Sequence, residues 1–241
     1  MADCIIHPIP LYRVEIEKSL FTYRLGFGQI VSLSGYVWFI EGTQGKLLVD
    51  AGGSAEYMSQ VRGMPTREIQ TLDSGLAKLG LSFDDIDLII LTHLHYDHVA
   101  LASRFTKAKF LVQKEELEFA LNPHPLYTDI YYQDFYNGLN FEVIDGDTRL
   151  SDEISVLKTP GHTRGGQSVS IKTAQGIVII AGLCTIRENF NPPATVKLPV
   201  LPPGMPTDVS VGYDSVLRIK KVADIVVPIH DPEYCQVNTI P

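Results

Sequence analysis

Cysteine is scarce in this sequence: Cys4, Cys184 and Cys235 are the only three in 241 residues. An odd, widely spread set suggests no disulfide framework, and it points to a reducing compartment, read here as the cytoplasm. No apolar run approaches the roughly 18 residues of a membrane span. The start, Met1-Ala2-Asp3-Cys4-Ile5-Ile6-His7-Pro8, lacks a basic region and a long apolar stretch, so it does not read as a signal peptide. Blocks of Lys or Arg are missing too. Acidic residues outnumber basic ones by 28 to 20, a net charge of −8. That balance argues against nucleic acid or a membrane as partner and leaves a small-molecule substrate.

What is present is ordinary for a globular chain, with 45% apolar and 20% charged residues. No Pro/Gly/Ser linker and no repeat interrupts it, which predicts one domain over residues 1–241. Leu11 to Glu17 alternates and reads as a strand. Tyr36–Glu41 and Lys46–Asp50 flank a turn-rich Gly42-Thr43-Gln44-Gly45 and read as a hairpin. Residues 51–65 read as loop. From Thr66 the pattern is helical, with Ile69, Leu72, Leu76 and Leu79 on one face and a stop at Gly80. Ile86–Leu91, Phe110–Val112, Phe141–Asp145, Ile154–Lys158, Val169–Lys172 and Ile177–Ala181 read as strands. Lys114–Leu121 and Tyr213–Ala223 read as helices. Residues 119–141 are rich in Tyr and Phe. They suggest a helical insert feeding a core or a homodimer contact, or else an apolar wall beside a site. The proline-dense residues 192–206 cannot form a regular helix and suggest an ordered loop near a site mouth.

The chemistry concentrates in Thr92-His93-Leu94-His95-Tyr96-Asp97-His98, directly after the apolar run Ile86–Leu91. Alternation places His93 and His95 on one face of an extended segment. Asp97 and His98 follow where the chain can turn them toward a second nearby point. Two more histidines, His162 and His230, also stand just after apolar strands, leaving only His7 and His124 without a role. Imidazole and carboxylate together suit zinc, manganese, iron, cobalt or nickel. The pattern reads as ligands for two adjacent metal ions.

The His-x-His-x-Asp-His string, the later Gly161-His162-Thr163 and the last histidine after a C-terminal strand resemble the metallo-β-lactamase superfamily. So does Leu47-Leu48-Val49-Asp50-Ala51-Gly52-Gly53. The segments Thr159–Thr163, Gly166-Gln167-Ser168, Arg187-Glu188-Asn189-Phe190 and Val112-Gln113-Lys114-Glu115-Glu116 look most like its N-acyl-homoserine lactonase branch. The resemblance implies an α+β fold, a four-layer αββα sandwich of two mixed sheets flanked by helices. It implies one or two divalent transition-metal ions, zinc first, with His93, His95 and His162 at one and Asp97, His98 and His230 at the other. It further implies a hydrolase that opens a lactone or related ester or amide by metal-bound hydroxide, with Asp97 as the catalytic carboxylate. Another hydrolase of the same fold, acting on a β-lactam, thioester or phosphoester, and a non-catalytic metal-binding relative are the alternatives.

One departure stands out. The family's strand after the third histidine normally ends in an aspartate that bridges the metals, expected here at Leu183. No carboxylate follows Gly182. The thiolate of Cys184 is a candidate substitute, but the strand register is expected to point it away. On that reading Leu183→Asp restores the bridge. Thr185 is the nearest match to a tyrosine that lactonases of this type carry just beyond.

Overall fold

Alternation within short central strands sets the layering. The computed structural model describes residues 3–241, so Met1 and Ala2, and the reading of the chain's start that includes them, lie outside the described residues. In chain order the first half holds β1 (Ile5–Glu17), β2 (Ile30–Glu41), β3 (Leu47–Val49), α1 (Ala55–Gln60), β4 (Thr66–Glu68), α2 (Leu72–Lys78), β5 (Leu88–Ile90), α3 (Tyr96–Val99), β6 (Lys109–Gln113), α4 (Lys114–Leu121) and β7 (Phe141–Ile144). The second half holds β8 (Thr148–Arg149), β9 (Ile154–Lys158), β10 (Gln167–Thr173), β11 (Gly176–Ala181), α5 (Arg187–Phe190), α6 (Val209–Val222) and β12 (Ile225–Pro228). One sheet runs β4-β1-β2-β3-β5-β6-β7, the other β12-β11-β10-β9-β8. Both are mixed: β3, β5, β6 and β7 are parallel, as are β11 and β12, and the remaining pairs are antiparallel.

Successive residues of one strand feed different layers. Ile89 packs outward with Met58 of α1 and Leu72 and Leu76 of α2. Ile90 packs inward with Trp38 and Val49 against Val169, Val178 and Val227 of the facing sheet. On the far side Ile179 and Ala181 meet Val216 and Ile219 of α6. Three apolar interfaces between four layers are the αββα sandwich expected from the resemblance.

The local departures from the sequence reading have simple causes. Thr66–Glu68 is strand β4, because its backbone pairs with the edge of β1 at Tyr12–Val14. The helix starts later, at Leu72, where the Thr71 hydroxyl accepts the Ser74 amide as N-cap. The loop read over 51–65 contains α1, capped by Ser54. Between α4 and β7 the aromatic segment forms 3₁₀ turns (Pro125–Tyr127 and Gln133–Phe135) and no α-helix, although Tyr131 and Tyr136 are buried as the core reading expects. No helix among the described residues is long and apolar enough to cross a membrane.

A further correction concerns register at the end of β11. Ile179, Ala181 and Leu183 all face α6, whereas Val178 and Ile180 face the other sheet. Leu183 therefore points away from the cluster of histidines, and the even-numbered positions point toward it. Gly182 is the position in phase, but a Cβ there would lie 1.8 Å from the Gln167 carbonyl oxygen. No carboxylate fits without moving backbone. Leu183→Asp would instead bury an unpaired charge among apolar side chains, at a cost on the order of 3–5 kcal/mol. We expect a clear drop in the urea midpoint for this variant. A midpoint equal to wild type would put Leu183 on the other face of the chain.

Candidate metal centre

Strand ends build the site. Asp50 follows β3, His93 to His98 follow β5, His162 follows β9, Cys184 follows β11 and His230 follows β12. These strand ends lie along one rim of the two sheets, so residues far apart in sequence meet there. The chain stays extended through His95 and then turns into α3, which carries Asp97 and His98. His93 lies with its ring centroid 4.6 Å from His95, 4.9 Å from His162 and 4.1 Å from His98. Donor atoms of His93, His95 and His162 lie within 4.8 Å of one another, and so do those of His93, Asp97 and His98. His230 closes the far side, its Nε2 3.7 Å from Asp97 Oδ2 and its ring 5.2 Å from His98. All six residues singled out in the sequence converge.

Cys184 requires a correction. It belongs to neither close group of donors, yet its side chain lines the same cavity as Asp97 and His230. It points in, because it keeps the even-numbered phase of β11. Burial pushes its thiol well above the usual range, with the Asp97 charge adding to the effect.

Hydrogen bonds fix which ring nitrogen faces the centre. The Nδ1 of His98 donates to Asp50 Oδ2 at 2.7 Å. The same oxygen accepts the Thr92 hydroxyl at 3.0 Å, and that hydroxyl can in turn accept from His93 Nδ1 at 3.0 Å. Oδ1 of Asp50 accepts the Thr92 amide at 2.7 Å. His162 Nδ1 donates to the Met205 carbonyl at 2.8 Å, and His230 Nδ1 to the Ser34 carbonyl at 3.2 Å. In these four rings Nδ1 is engaged by the scaffold and Nε2 is left free, the arrangement that fixes a ligating imidazole. The Nε2 of His98 is buried and makes no well-formed hydrogen bond among the described residues, its near neighbour being Asp97 Oδ2 at 3.3 Å. Ring nitrogens and a carboxylate turned toward one another with no hydrogen bond to join them fit a cation.

Charge follows the same geometry. Burial, with like-charge neighbours, lowers the pKa of His162 and His230 to about 4, and His93 and His95 lie well below the usual value. These rings are neutral at pH 7, as ligands must be. His98 differs. Burial opposes its charge, but Asp97 and Asp50 on either side raise it to about 10. Without a metal it keeps a proton.

Above the cluster lies a cavity of about 320 Å³. His95, Asp97, His162, Cys184 and His230 form its floor, and the walls are mostly apolar, including Val14, Ile16, Leu33, Met58 and Ile130, with the paired Arg62 and Asp129 also among the lining. The aromatic segment thus also supplies part of an apolar wall. Met205 and Pro206, at the end of the proline-rich loop, reach the mouth as expected.

Three supporting residues were not singled out as site residues in the sequence. Asp50 lies in the quoted Asp-x-Gly strand, and Thr92 opens the metal string. Glu116 closes the quoted Gln-Lys-Glu-Glu segment. Its buried carboxylate accepts the Leu94 amide, the Tyr131 hydroxyl and the Gly165 amide at 2.9–3.0 Å, tying the His95 loop to the His162 loop. Thr185, the nearest match to the lactonase tyrosine, is buried and donates its hydroxyl to the Leu183 carbonyl.

The chain is similar in sequence and fold to known proteins. The family model described as the metallo-beta-lactamase superfamily matches residues 31–230. The N-acyl homoserine lactonase AiiA of Bacillus thuringiensis subsp. kurstaki is 27% identical over 243 residues, covering 93% of this chain and 92% of its own. A solved N-acyl homoserine lactone hydrolase, with N-hexanoyl-L-homoserine at its catalytic metal centre, superposes with a TM-score of 0.77 at 26% identity, covering 97% of this chain and 95% of the other. A probable metal-dependent hydrolase from Staphylococcus aureus shares the fold, with a TM-score of 0.80 at 18% identity over 96% and 90% of the two chains.

A pH dependence follows from His98. Its folded pKa lies above the unfolded value of about 6.5, so its proton stabilises the metal-free protein fully below that pH. The contribution is lost as pH rises through about 10. Metal-free protein should lose stability between those limits, and Asp50→Asn should flatten the loss. Denaturant titrations at several pH values check this. An equal slope in both proteins would exclude Asp50 as the source.

Proposed function

The chain belongs to the metallo-beta-lactamase superfamily, and on that premise we propose that it is a metal-dependent hydrolase opening a lactone or related carboxylic ester or amide. The observation that carries this reading is the convergence of five histidines and Asp97, four of which (His95, Asp97, His162 and His230) form the floor of a largely apolar cavity. Similarity to N-acyl homoserine lactonases over most of the chain supports the lactone class. The apolar walls and the net charge of −8 favour an acyl substrate over a phosphoester. We place the reaction in the cytoplasm and treat the whole chain as one functional unit.

His93, His95 and His162 would hold one divalent ion, and Asp97, His98 and His230 a second. Borderline-soft zinc suits this set of imidazoles and a carboxylate best, with manganese, iron, cobalt and nickel also compatible. A bound ion supplies a Lewis acid and brings the pKa of water toward neutrality.

The chain's own groups do the rest. Burial opposes ionisation of Asp97, but His98 and His230 overcome it and hold the carboxyl well below its usual range. It is ionised on the cavity floor and accepts a hydrogen bond from the attacking water, aiming its oxygen at the acyl carbon. The apolar walls hold the acyl part of the substrate and exclude competing water. Asp50, through Thr92 and His98, keeps the imidazoles in place.

The second ion should be the weaker one. No carboxylate stands between the two positions at Gly182 or Leu183, so repulsion between two dications is less compensated. On mild chelation, wild type should release one equivalent of metal well before the other. Co-release of both would point to another shared ligand, with Cys184→Ser the variant that tests it.

Asp97→Asn should remain folded and lose about a hundredfold or more in lactone hydrolysis. Progress curves with a generic γ-lactone, alongside elemental analysis, are the check. Near-normal turnover at unchanged metal content would rule out the role given to Asp97.

A further inference from the structure

The described hydrogen bonds of the buried tyrosines leave one hydroxyl unused. Tyr36 donates to the Asp231 carbonyl, Tyr131 to Glu116 and Tyr136 to the Ala120 carbonyl. Tyr96 is turned to the Met64 sulfur. Tyr12, only 1% exposed, lines the cavity beside Asp97, and burial with nearby charges, not a hydrogen bond, governs its phenol.

Three local features put it there. The register of β1 against β2 shifts at Leu11: Pro10 faces Tyr36, and Tyr12 faces Gly35. Before that bulge, Cys4 and Ile6 face the sheet interface while Ile9 and Leu11 face outward. After it, the phase is reversed, and Tyr12, Val14 and Ile16 face the cavity side. One extra residue has turned Tyr12 from the inter-sheet core into the site. The second feature is Gly35, where a Cβ would lie 2.2–2.4 Å from the Tyr12 ring tip and hydroxyl. The ring lies over that glycine and no other residue fits beneath it. The third is Gly53, where a Cβ would lie 3.0 Å from the Tyr12 hydroxyl and 2.8 Å from the Asp97 carbonyl oxygen. Phenol and Asp97 therefore pack against the same glycine.

We propose that Tyr12 is a catalytic residue whose phenol donates a hydrogen bond to the substrate's carbonyl oxygen as negative charge grows there. This rests on the hydrolase reading above. Thr185 offers no such donor, because its hydroxyl is committed to the Leu183 carbonyl. In the reaction the water oxygen bonds to the acyl carbon, the acyl–oxygen bond of the ring breaks, and the water's proton ends on the released alkoxide. Tyr12 itself is unchanged. The carbonyl oxygen gains charge only on the way to the tetrahedral state, so the contact strengthens there and is expressed in kcat more than in KM.

The test is Tyr12→Phe, which keeps the ring over Gly35. The expected result is unchanged metal content and thermal midpoint, kcat on a γ-lactone lowered by about a hundredfold, and KM changed little. A readout free of turnover is calorimetric binding of a five-membered cyclic phosphonate, an anionic tetrahedral mimic. Its affinity should fall about tenfold or more. Equal phosphonate affinity in the two proteins overturns the proposal, whatever happens to kcat. Should wild type open no lactone yet bind phosphonate in a Tyr12-dependent way, the lactone reading falls and the role of Tyr12 stands. Should Tyr12→Phe not fold, 3,5-difluorotyrosine at position 12 retains the shape and hydroxyl with a more acidic phenol. The alkaline limb of phosphonate binding should then move to lower pH. An unmoved limb overturns the assignment.

Discussion

The carboxylate of Asp50 is the constraint on which the site depends. It is fully buried and accepts three hydrogen bonds, from the Thr92 amide, the Thr92 hydroxyl and His98 Nδ1. Those bonds orient His98 directly and His93 through Thr92. The geometry requires Asp50 to leave β3 with a φ of 61°, a left-handed conformation that aspartate tolerates better than most residues. Of order 1–3 kcal/mol of backbone strain is accepted there. In return two imidazoles stand with their Nε2 atoms toward a common centre. Buried negative charge also sets the electrostatics: the proton on His98 offsets part of the charge of Asp97 and Asp50 until a cation replaces it.

Parity in the strands decides which side chains reach that centre. The bulge at Leu11 reverses the phase of β1 and delivers Tyr12, Val14 and Ile16 to the cavity. At the end of β11 no such reversal occurs, so Leu183 stays with α6 and Cys184 turns inward. A one-residue difference changes the face of everything beyond it. The cavity's chemistry is thus a consequence of where backbone registers slip, as much as of which residues are present.

The sequence was most legible where the signal is local and chemical. His93, His95, Asp97, His98, His162 and His230 were identifiable from residue type, spacing and position after apolar runs, and the structure brings all six together. Lys114–Leu121 and Ile154–Lys158 coincide with α4 and β9. Less legible was whatever depends on partners distant in the chain. Strand β4 looks helical until the edge of β1 is there to pair with it. Cys184 could not be oriented without knowing the end of β11. Tyr12 carries no spacing signal, because its placement needs a bulge and glycines at 35 and 53. The secondary motifs mark scaffold instead of chemistry. Gln113 and Gln167 bond to each other, Glu116 joins two ligand loops, and Asn189 gathers the carbonyls of Phe21, Leu201 and Pro202.

Scaffold and centre therefore form one system, in which buried polar networks hold the imidazoles beneath a largely apolar cavity. The most direct measurement is a crystal structure of protein purified without added metal, with anomalous diffraction recorded on both sides of the zinc absorption edge. The account predicts an anomalous peak at the ring nitrogens of His93, His95 and His162, with Nε2 the ligating atom of His93 and His162, and a second, weaker peak bounded by Asp97, His98 and His230. A metal-replete crystal with no peak at the three histidines, or with the metal bound elsewhere, would contradict it.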